Sequence, residues 1–208
     1  MKKIALRLTA LVLAVISITM LLSSCSITVI EDMDGDGIKD NEFKISYAES
    51  ERGYVVMGYT GTCPAELIIP DTYKERPIVR INGGAFSACT TVEKLTVGNN
   101  VTQIGAEAFM GCSALKSLTF GKNLERIDSG AFKDCFELSA VSIPQRVNYI
   151  GENAFLNCVS LKSAYFEKQY YWSTDSKNSH GGFVSMNDLE YIAECLREKN
   201  ADCVWTRS

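Results

Sequence analysis

A fixed step of 23 residues runs through the middle of this 208-residue chain. Phe86, Phe109, Phe132 and Phe155 keep that step, and so do Cys89, Cys112, Cys135 and Cys158. Ala85, Ala108, Ala131 and Ala154 follow it, as do Ile81, Ile104, Ile127 and Ile150. Val92, Leu115, Leu138 and Leu161 hold an apolar residue in one further slot. Four units therefore occupy 78–100, 101–123, 124–146 and 147–169, with no insertion between them. Self-similarity at a period of this length is the signature of a stacked-repeat architecture.

Inside the second unit, the alternation at Leu118 and Phe120 predicts a short strand whose intervening residues point outward. Val101 and Ile104 lead into a turn at Gly105. The equivalent places hold Asn82, Asp128 and Gly151, all residues that tolerate left-handed or tight-turn backbone. The Ala-Phe pair that follows is expected to pack inward from a short helical turn. One such unit cannot bury enough apolar surface to offset the entropy of ordering its own backbone. Stacking is obligatory, and the expected fold is a solenoid, mainly β, in which successive units share a parallel strand ladder.

Both ends of the stack need covers. Residues 43–77 are read as an amino-terminal cap and degenerate repeat. Phe43–Tyr47 and Tyr54–Tyr59 flank a polar AESERG stretch as a β-hairpin, and Leu67-Ile68-Ile69-Pro70 mimics the repeat strand. Residues 170–208 are read as a carboxy-terminal cap. Asn187 and Glu190 there make a capping-box variant, and Leu189, Ile192, Ala193 and Leu196 mark one helix face. STDSKNSHGG, residues 173–182, reads as a polar loop.

The phrase Leu115-x-x-Leu118-x-Phe120-x-x-Asn123 fits a leucine-rich repeat, and the whole IxxxAFxxCxxLxx unit resembles the BspA-like leucine-rich repeats of bacterial surface proteins. The likeness covers 43–208, with Gly98 and Gly121 where the family often has Pro and only Pro144 keeping it. It implies a non-enzymatic cell-surface protein, and some members of the family are adhesins. The fold alone does not carry that activity across.

The first 24 residues join a basic start (Lys2, Lys3, Arg7) to an apolar run and small residues, which is signal-peptide grammar. Leu22-Ser23-Ser24-Cys25 resembles the bacterial lipobox, which implies lipidation at Cys25 and a protein held on the outer face of a bacterial membrane or cell surface. The net charge is −4 for the whole chain and becomes −7 without residues 1–24. An acidic chain lacking a basic patch argues against nucleic-acid binding.

Residues 25–42, the junction behind the anchor, hold Asp32-x-Asp34-x-Asp36-Gly37-Ile38-x-Asp40. Alternate carboxylates converge on one hard cation, Gly permits the sharp turn, and the Ile38 carbonyl adds a ligand, so calcium is the expected metal. The EF-hand pattern wants Glu at its twelfth position, where this chain has Phe43. Asp40 at the ninth instead resembles thrombospondin type 3 and dockerin-like loops.

No catalytic constellation stands out. The single histidine, His180, lies in a polar stretch, and HExxH, GxSxG and P-loop motifs are absent. Four cysteines in identical slots cannot all be one catalytic centre. Equivalent side chains on successive rungs have Cβ atoms ~4.8 Å apart, beyond the ~3.5–4.5 Å that a disulfide prefers. Cys89, Cys112, Cys135 and Cys158 are therefore expected to be buried thiols filling core space. A bridge between Cys195 and Cys203 is left open.

A candidate binding face follows from the strand alternation. Its outward residues are Lys94, Thr96 and Gly98; Ser117, Thr119 and Gly121; Ala140, Ser142 and Pro144; and Ser163, Tyr165 and Glu167. This small, hydroxyl-rich strip suits an extracellular protein or glycan partner. The rival reading is a structural envelope or spacer protein without a specific ligand.

Overall fold

The computed structural model describes residues 43–167, 172–175, 182–184, 189–199 and 203–207. At the amino-terminal end, β1 (Phe43–Ala48) and β2 (Gly53–Tyr59) form the expected antiparallel hairpin. Next come β3 (Glu66–Ile69), β4 (Thr72–Tyr73) and β5 (Arg76–Ile81). The repeats contribute β6 (Lys94–Val97), β7 (Gln103–Ile104), β8 (Ser117–Thr119) and β9 (Arg126–Ile127). They continue through β10 (Ala140–Ile143), β11 (Tyr149–Ile150) and β12 (Ser163–Phe166). The last elements are β13 (Trp172–Asp175), β14 (Gly182–Val184), α1 (Leu189–Glu194) and β15 (Val204–Arg207).

These elements build a parallel β-solenoid of leucine-rich-repeat type, with two strand ladders rather than one. The expected ladder runs β3-β6-β8 and then β10-β12, all parallel. Its interruption falls where Phe120 takes the inner slot that Val97, Ile143 and Phe166 fill in other rungs. Phe120 is only half-buried and leans edge-on against Phe132, with ring centroids 5.6 Å apart. A second ladder runs β2-β5-β7-β9-β11, in which Ile81, Ile104 and Ile127 pair in register. Two-residue strands carry too little alternation to be seen in sequence.

The Ala-Phe segments are turns rather than helix. Ala108 donates its N–H to Gly105 O and Cys112 to Phe109 O, three residues back. Alternate amides instead reach the next rung. Gly84, Phe86 and Ala88 donate to the carbonyls of Ala106, Ala108 and Met110 at 2.7–2.9 Å, and the next two rungs repeat the pattern. Two left-handed residues per rung bracket the Phe and make this possible: Gly84, Glu107, Gly130 and Asn153 in one slot, and Ala88, Gly111, Asp134 and Asn157 in the other. Of the two geometries read for the turn at Gly105 and Gly151, left-handed or tight, neither glycine takes the left-handed one. A Cβ on Gly105 would lie 2.6 Å from Gly83 N, and one on Gly151 would lie 2.5 Å from Ser129 N. Glycine there admits the preceding rung.

The core is a set of columns. Phe86, Phe109, Phe132 and Phe155 stack with centroids 5.1, 5.3 and 5.4 Å apart and planes within 10° of parallel. Repeated Ile, Val and Leu positions fill the space around them, almost all fully buried. At the far end the tail strand β15 pairs antiparallel with β11, setting Trp205 opposite Ile150. Trp172 is buried against Phe166, 5.0 Å between centroids, so this aromatic packs the last rung. Residues 172–175 are strand, paired with β14 and β15, where the sequence read as loop. In α1 and the π-helical turn that continues it (Cys195–Lys199), Ile192, Ala193 and Leu196 are buried, whereas Leu189 is exposed. Asn187 and His180 lie outside the described residues.

Cys112, Cys135 and Cys158 behave as expected. Each is fully buried, and each thiol donates to the carbonyl of a Phe in the preceding rung: Phe86 (3.4 Å), Phe109 (3.4 Å) and Phe132 (3.2 Å). Burial pushes the Cys112 thiol from an ordinary value of 9.0 up to about 12, a rise only partly offset by the Cys89 amide. Cys135 is raised as well, first by its hydrogen bond with Cys158 and then by burial. Cys195 and Cys203 are buried thiols rather than the bridge left open above. Cys89 departs from the pattern, for it forms a disulfide with Cys63, Cα atoms 5.8 Å apart. The spacing argument holds only for equivalent slots. Cys63 stands three residues before its strand and Cys89 five before its own, so the two side chains converge obliquely instead of stacking.

Three tests follow from this packing. Phe109→Ala removes the middle of the ring column and should cost ~3–5 kcal/mol in denaturant unfolding; an unchanged midpoint would refute the column. Glu107 is held at φ 58°. Because a left-handed residue with a Cβ costs roughly 1–2 kcal/mol and glycine loses about 0.5–1 kcal/mol through backbone entropy, Glu107→Gly should raise the melting temperature. Cys112 and Cys135 make stability alkali-sensitive. Their folded pKa lies above the unfolded one, so the native state keeps protons that the unfolded chain releases. Stability should be full below pH 9 and fall as pH rises toward about 12. Cys112→Ala should flatten that slope in thermal melts at pH 9 to 11; equal slopes would count against the assignment.

Candidate functional site

The ladder β3-β6-β8/β10-β12 presents the predicted strip. Parallel register sets equivalent residues side by side: Glu66, Lys94 and Ser117 in one row, and Ile68, Thr96 and Thr119 in the next. Beyond the interruption, Ala140 pairs with Ser163 and Ser142 with Tyr165. Inward residues Leu67, Leu95, Val141 and Ala164 are buried, so alternation along each strand turns the hydroxyls out.

The strip is two residues wide rather than three. Gly98, Gly121 and Pro144 are buried, because the chain closes tightly as it leaves each strand. A Cβ on Gly98 would lie 2.6 Å from Pro70 O, and one on Gly121 would lie 2.2 Å from Gly98 O. Two further members are already engaged. Lys94 Nζ meets Glu66 Oε1 at 2.7 Å, and Glu167, though exposed, accepts the Gln145 N–H at 3.2 Å across a rung. Thr96 and Ser163 are half-buried, while Ser117, Thr119 and Ser142 are exposed.

Tyr165 is 49% exposed at the downstream end, and Ile68 is 54% exposed at the upstream end. An amphipathic aromatic and a branched aliphatic side chain thus bracket a row of hydroxyls. Ile68 and Glu66 belong to the site although the sequence reading placed its start at Lys94. The alternation in Leu67-Ile68-Ile69 was the signal that reached them. Besides the Glu66–Lys94 pair within the first row, charge lies at the border, where Lys116 Nζ is 3.1 Å from Glu93 and 3.8 Å from Glu137. Glu93, first, and Glu137 beside it hold the Lys116 ammonium pKa above its usual value.

The described cavities lie off this face. One, of about 290 Å³, borders the Cys63–Cys89 bridge, and another, of about 370 Å³, sits over Glu190, Tyr191, Glu194 and Arg197. Among the described residues no group of three His, Cys, Asp or Glu is arranged to hold a metal ion, and no helix is long and apolar enough to cross a membrane. Cys25 and the loop of Asp32, Asp34, Asp36, Ile38 and Asp40 lie outside the described residues, as do Tyr170 and Tyr171.

Comparison with known proteins agrees with this architecture. The profile of the BspA type leucine rich repeat region matches residues 65–176 in six copies, beginning within the degenerate first unit. A leucine-rich repeat protein from Bacteroides capillosus superposes with a TM-score of 0.54 at 24% identity, covering 63% of this chain and 98% of that one. The T. pallidum leucine-rich repeat protein superposes with a TM-score of 0.52 at 22% identity, covering 62% and 70%. No curated protein matches the sequence significantly. Repeats of this kind serve as scaffolds for binding, and with more than half its length matched the chain belongs to the BspA type leucine-rich repeat family.

Proposed function

We propose that this protein is a non-catalytic, exported binding module that recognises an extracellular protein or glycan through the two-row strip between Ile68 and Tyr165. The observation that carries the reading is the strip itself. Hydroxyls on a ladder of fixed spacing offer evenly placed donors and acceptors, and the exposed Tyr165 at one end is the residue type favoured as an interface anchor. A spacer or envelope protein without a ligand has no use for an exposed aromatic side chain on a polar face, so recognition is preferred over that alternative.

In the same proposal, Cys25 carries the lipid that tethers the module to the outer face of a bacterial membrane or cell surface. Asp32, Asp34, Asp36, Asp40 and the Ile38 carbonyl bind calcium and stiffen the junction between anchor and solenoid. Their sequence pattern supports both assignments.

The test is a pull-down with residues 25–208 against extracellular matrix proteins and polysaccharides, with and without calcium, beside calorimetric calcium titration. A saturable partner is expected, and Thr119→Arg should abolish its capture while leaving the melting temperature within about 1 °C, since exposed substitutions usually change stability by less than ~0.5 kcal/mol. Capture unaffected by Thr119→Arg and Ser142→Arg together would remove the strip from the mechanism. Absence of heat at millimolar calcium would remove the metal.

A further inference from the structure

The Cys63–Cys89 bridge joins the degenerate first unit to the first full repeat, and it borders a cavity of about 290 Å³ whose other walls include Tyr59, Thr62, Ser87, Thr90 and Thr91. None of the lining residues carries a charge, so no carboxylate repels an approaching thiolate. Cys63 is 6% exposed and Cys89 is half-buried, which makes Cys89 the more open residue of the pair. The thiol column that begins with Cys112 is fully buried.

We propose that this cavity is a thiol–disulfide exchange site, at which a small soluble monothiol opens the Cys63–Cys89 bridge and so frees residues 60–65, the lead into the strand that carries the upstream end of the strip. In the first step the monothiol, as thiolate, attacks Cys89 Sγ. A bond forms between the two sulfurs, the Cys63–Cys89 bond breaks, and Cys63 leaves as a thiolate that takes up a proton. A second monothiol then attacks the outer sulfur of the mixed disulfide, and Cys89 leaves and is protonated. Two monothiols have been oxidised to their disulfide, and the protein disulfide has been reduced to two thiols. Cys112 does not compete as an internal nucleophile, because burial keeps its proton in place up to about pH 12. The bridge therefore opens outward and does not migrate along the column.

Opening is local because β3 stays paired with β6 from Glu66 to Ile69, with Leu67 and Ile69 buried, so that only the lead before it loosens. Thr91 Oγ1 donates to Cys63 O at 2.6 Å, and the Glu93 and Lys94 amides donate to Ala65 O at 2.8 and 2.9 Å. β3, with Glu66 and Ile68, begins three residues after Cys63. The pairing of β2 with β5 and the Phe column are untouched. Only the consequence for partner binding rests on the proposed function of the strip; the exchange chemistry does not.

The test treats residues 25–208 under native conditions with free cysteine, quenches with iodoacetamide and maps the peptides, with amide exchange in parallel. Expected are alkylation at Cys63 and Cys89 or a mixed disulfide at Cys89, no label at Cys112, Cys135 or Cys158, and faster amide exchange confined to residues 60–65. A bridge that stays closed at thiol concentrations able to reduce the unfolded chain would overturn the proposal, and so would simultaneous labelling of all these cysteines. The double variant Cys63→Ser/Cys89→Ser should show the same faster exchange without thiol. Thr62→Glu, which sets a carboxylate on the cavity wall, should slow opening by roughly threefold; an unchanged rate would place the attack elsewhere. Partner capture is read separately: exchange that proceeds while capture stays constant refutes the coupling, whereas absence of any partner for either form bears only on the strip.

Discussion

The contact of each rung with the next is the constraint on which the rest of this structure depends. Four phenylalanine rings lie parallel at 5.1–5.4 Å, and on three sides of that column the backbone is hydrogen-bonded from rung to rung. The ring spacing and the ladder spacing are two expressions of one repeat distance. At the break between β8 and β10 Phe120 stays half-buried, whereas Phe166 in the same slot is buried and its strand stays paired. Because every core position recurs in the next rung, a core side chain is chosen for how it stacks on copies of itself. Sulfur suits one such column because it is small, apolar and able to donate weakly to a carbonyl of the preceding rung, beside the backbone N–H that carbonyl already accepts.

Surface properties follow from the same distance. Outward side chains in register make rows, and rows of Ser and Thr make an even, polar strip. Where strands end, the rungs approach too closely for a Cβ, which buries Gly98 and Gly121 and narrows the strip. Charges within and beside the strip are consumed in pairs such as Lys94 with Glu66 and Lys116 with Glu93. What remains for a partner is hydroxyl chemistry between two exposed apolar ends. The disulfide sits at the one junction where the repeat is irregular, and irregularity is what lets two sulfurs meet.

Much of the fold was legible before any coordinates. The 23-residue step located every column, the alternation at Leu118 and Phe120 located the first ladder, and Phe43–Tyr47 with Tyr54–Tyr59 located the hairpin. The second ladder was not legible, because Gln103–Ile104 and its equivalents are two residues long and a period of two cannot show in two residues. β13 and β15 were missed for a related reason: their pairing partners are remote in sequence, and a polar segment such as Ser173-Thr174-Asp175 becomes strand only when an edge is offered to it. The left-handed slots were not legible either, since Glu107 and Ala88 carry no local preference for that backbone and adopt it where their amides bond to the next rung.

By itself, then, the sequence determined that this chain must stack, at what period, with which side chains inside and which strand face outside, because a 23-residue unit cannot fold alone and identical units bury identical positions. The tertiary structure alone decided which cysteine is bridged, how wide the strip is and which of its members are already engaged. Those outcomes turn on distances of an ångström or two between residues from different rungs. Such distances are set by backbone approach at the strand exits and by the three-residue against five-residue lead into β3 and β6, and no local pattern encodes them.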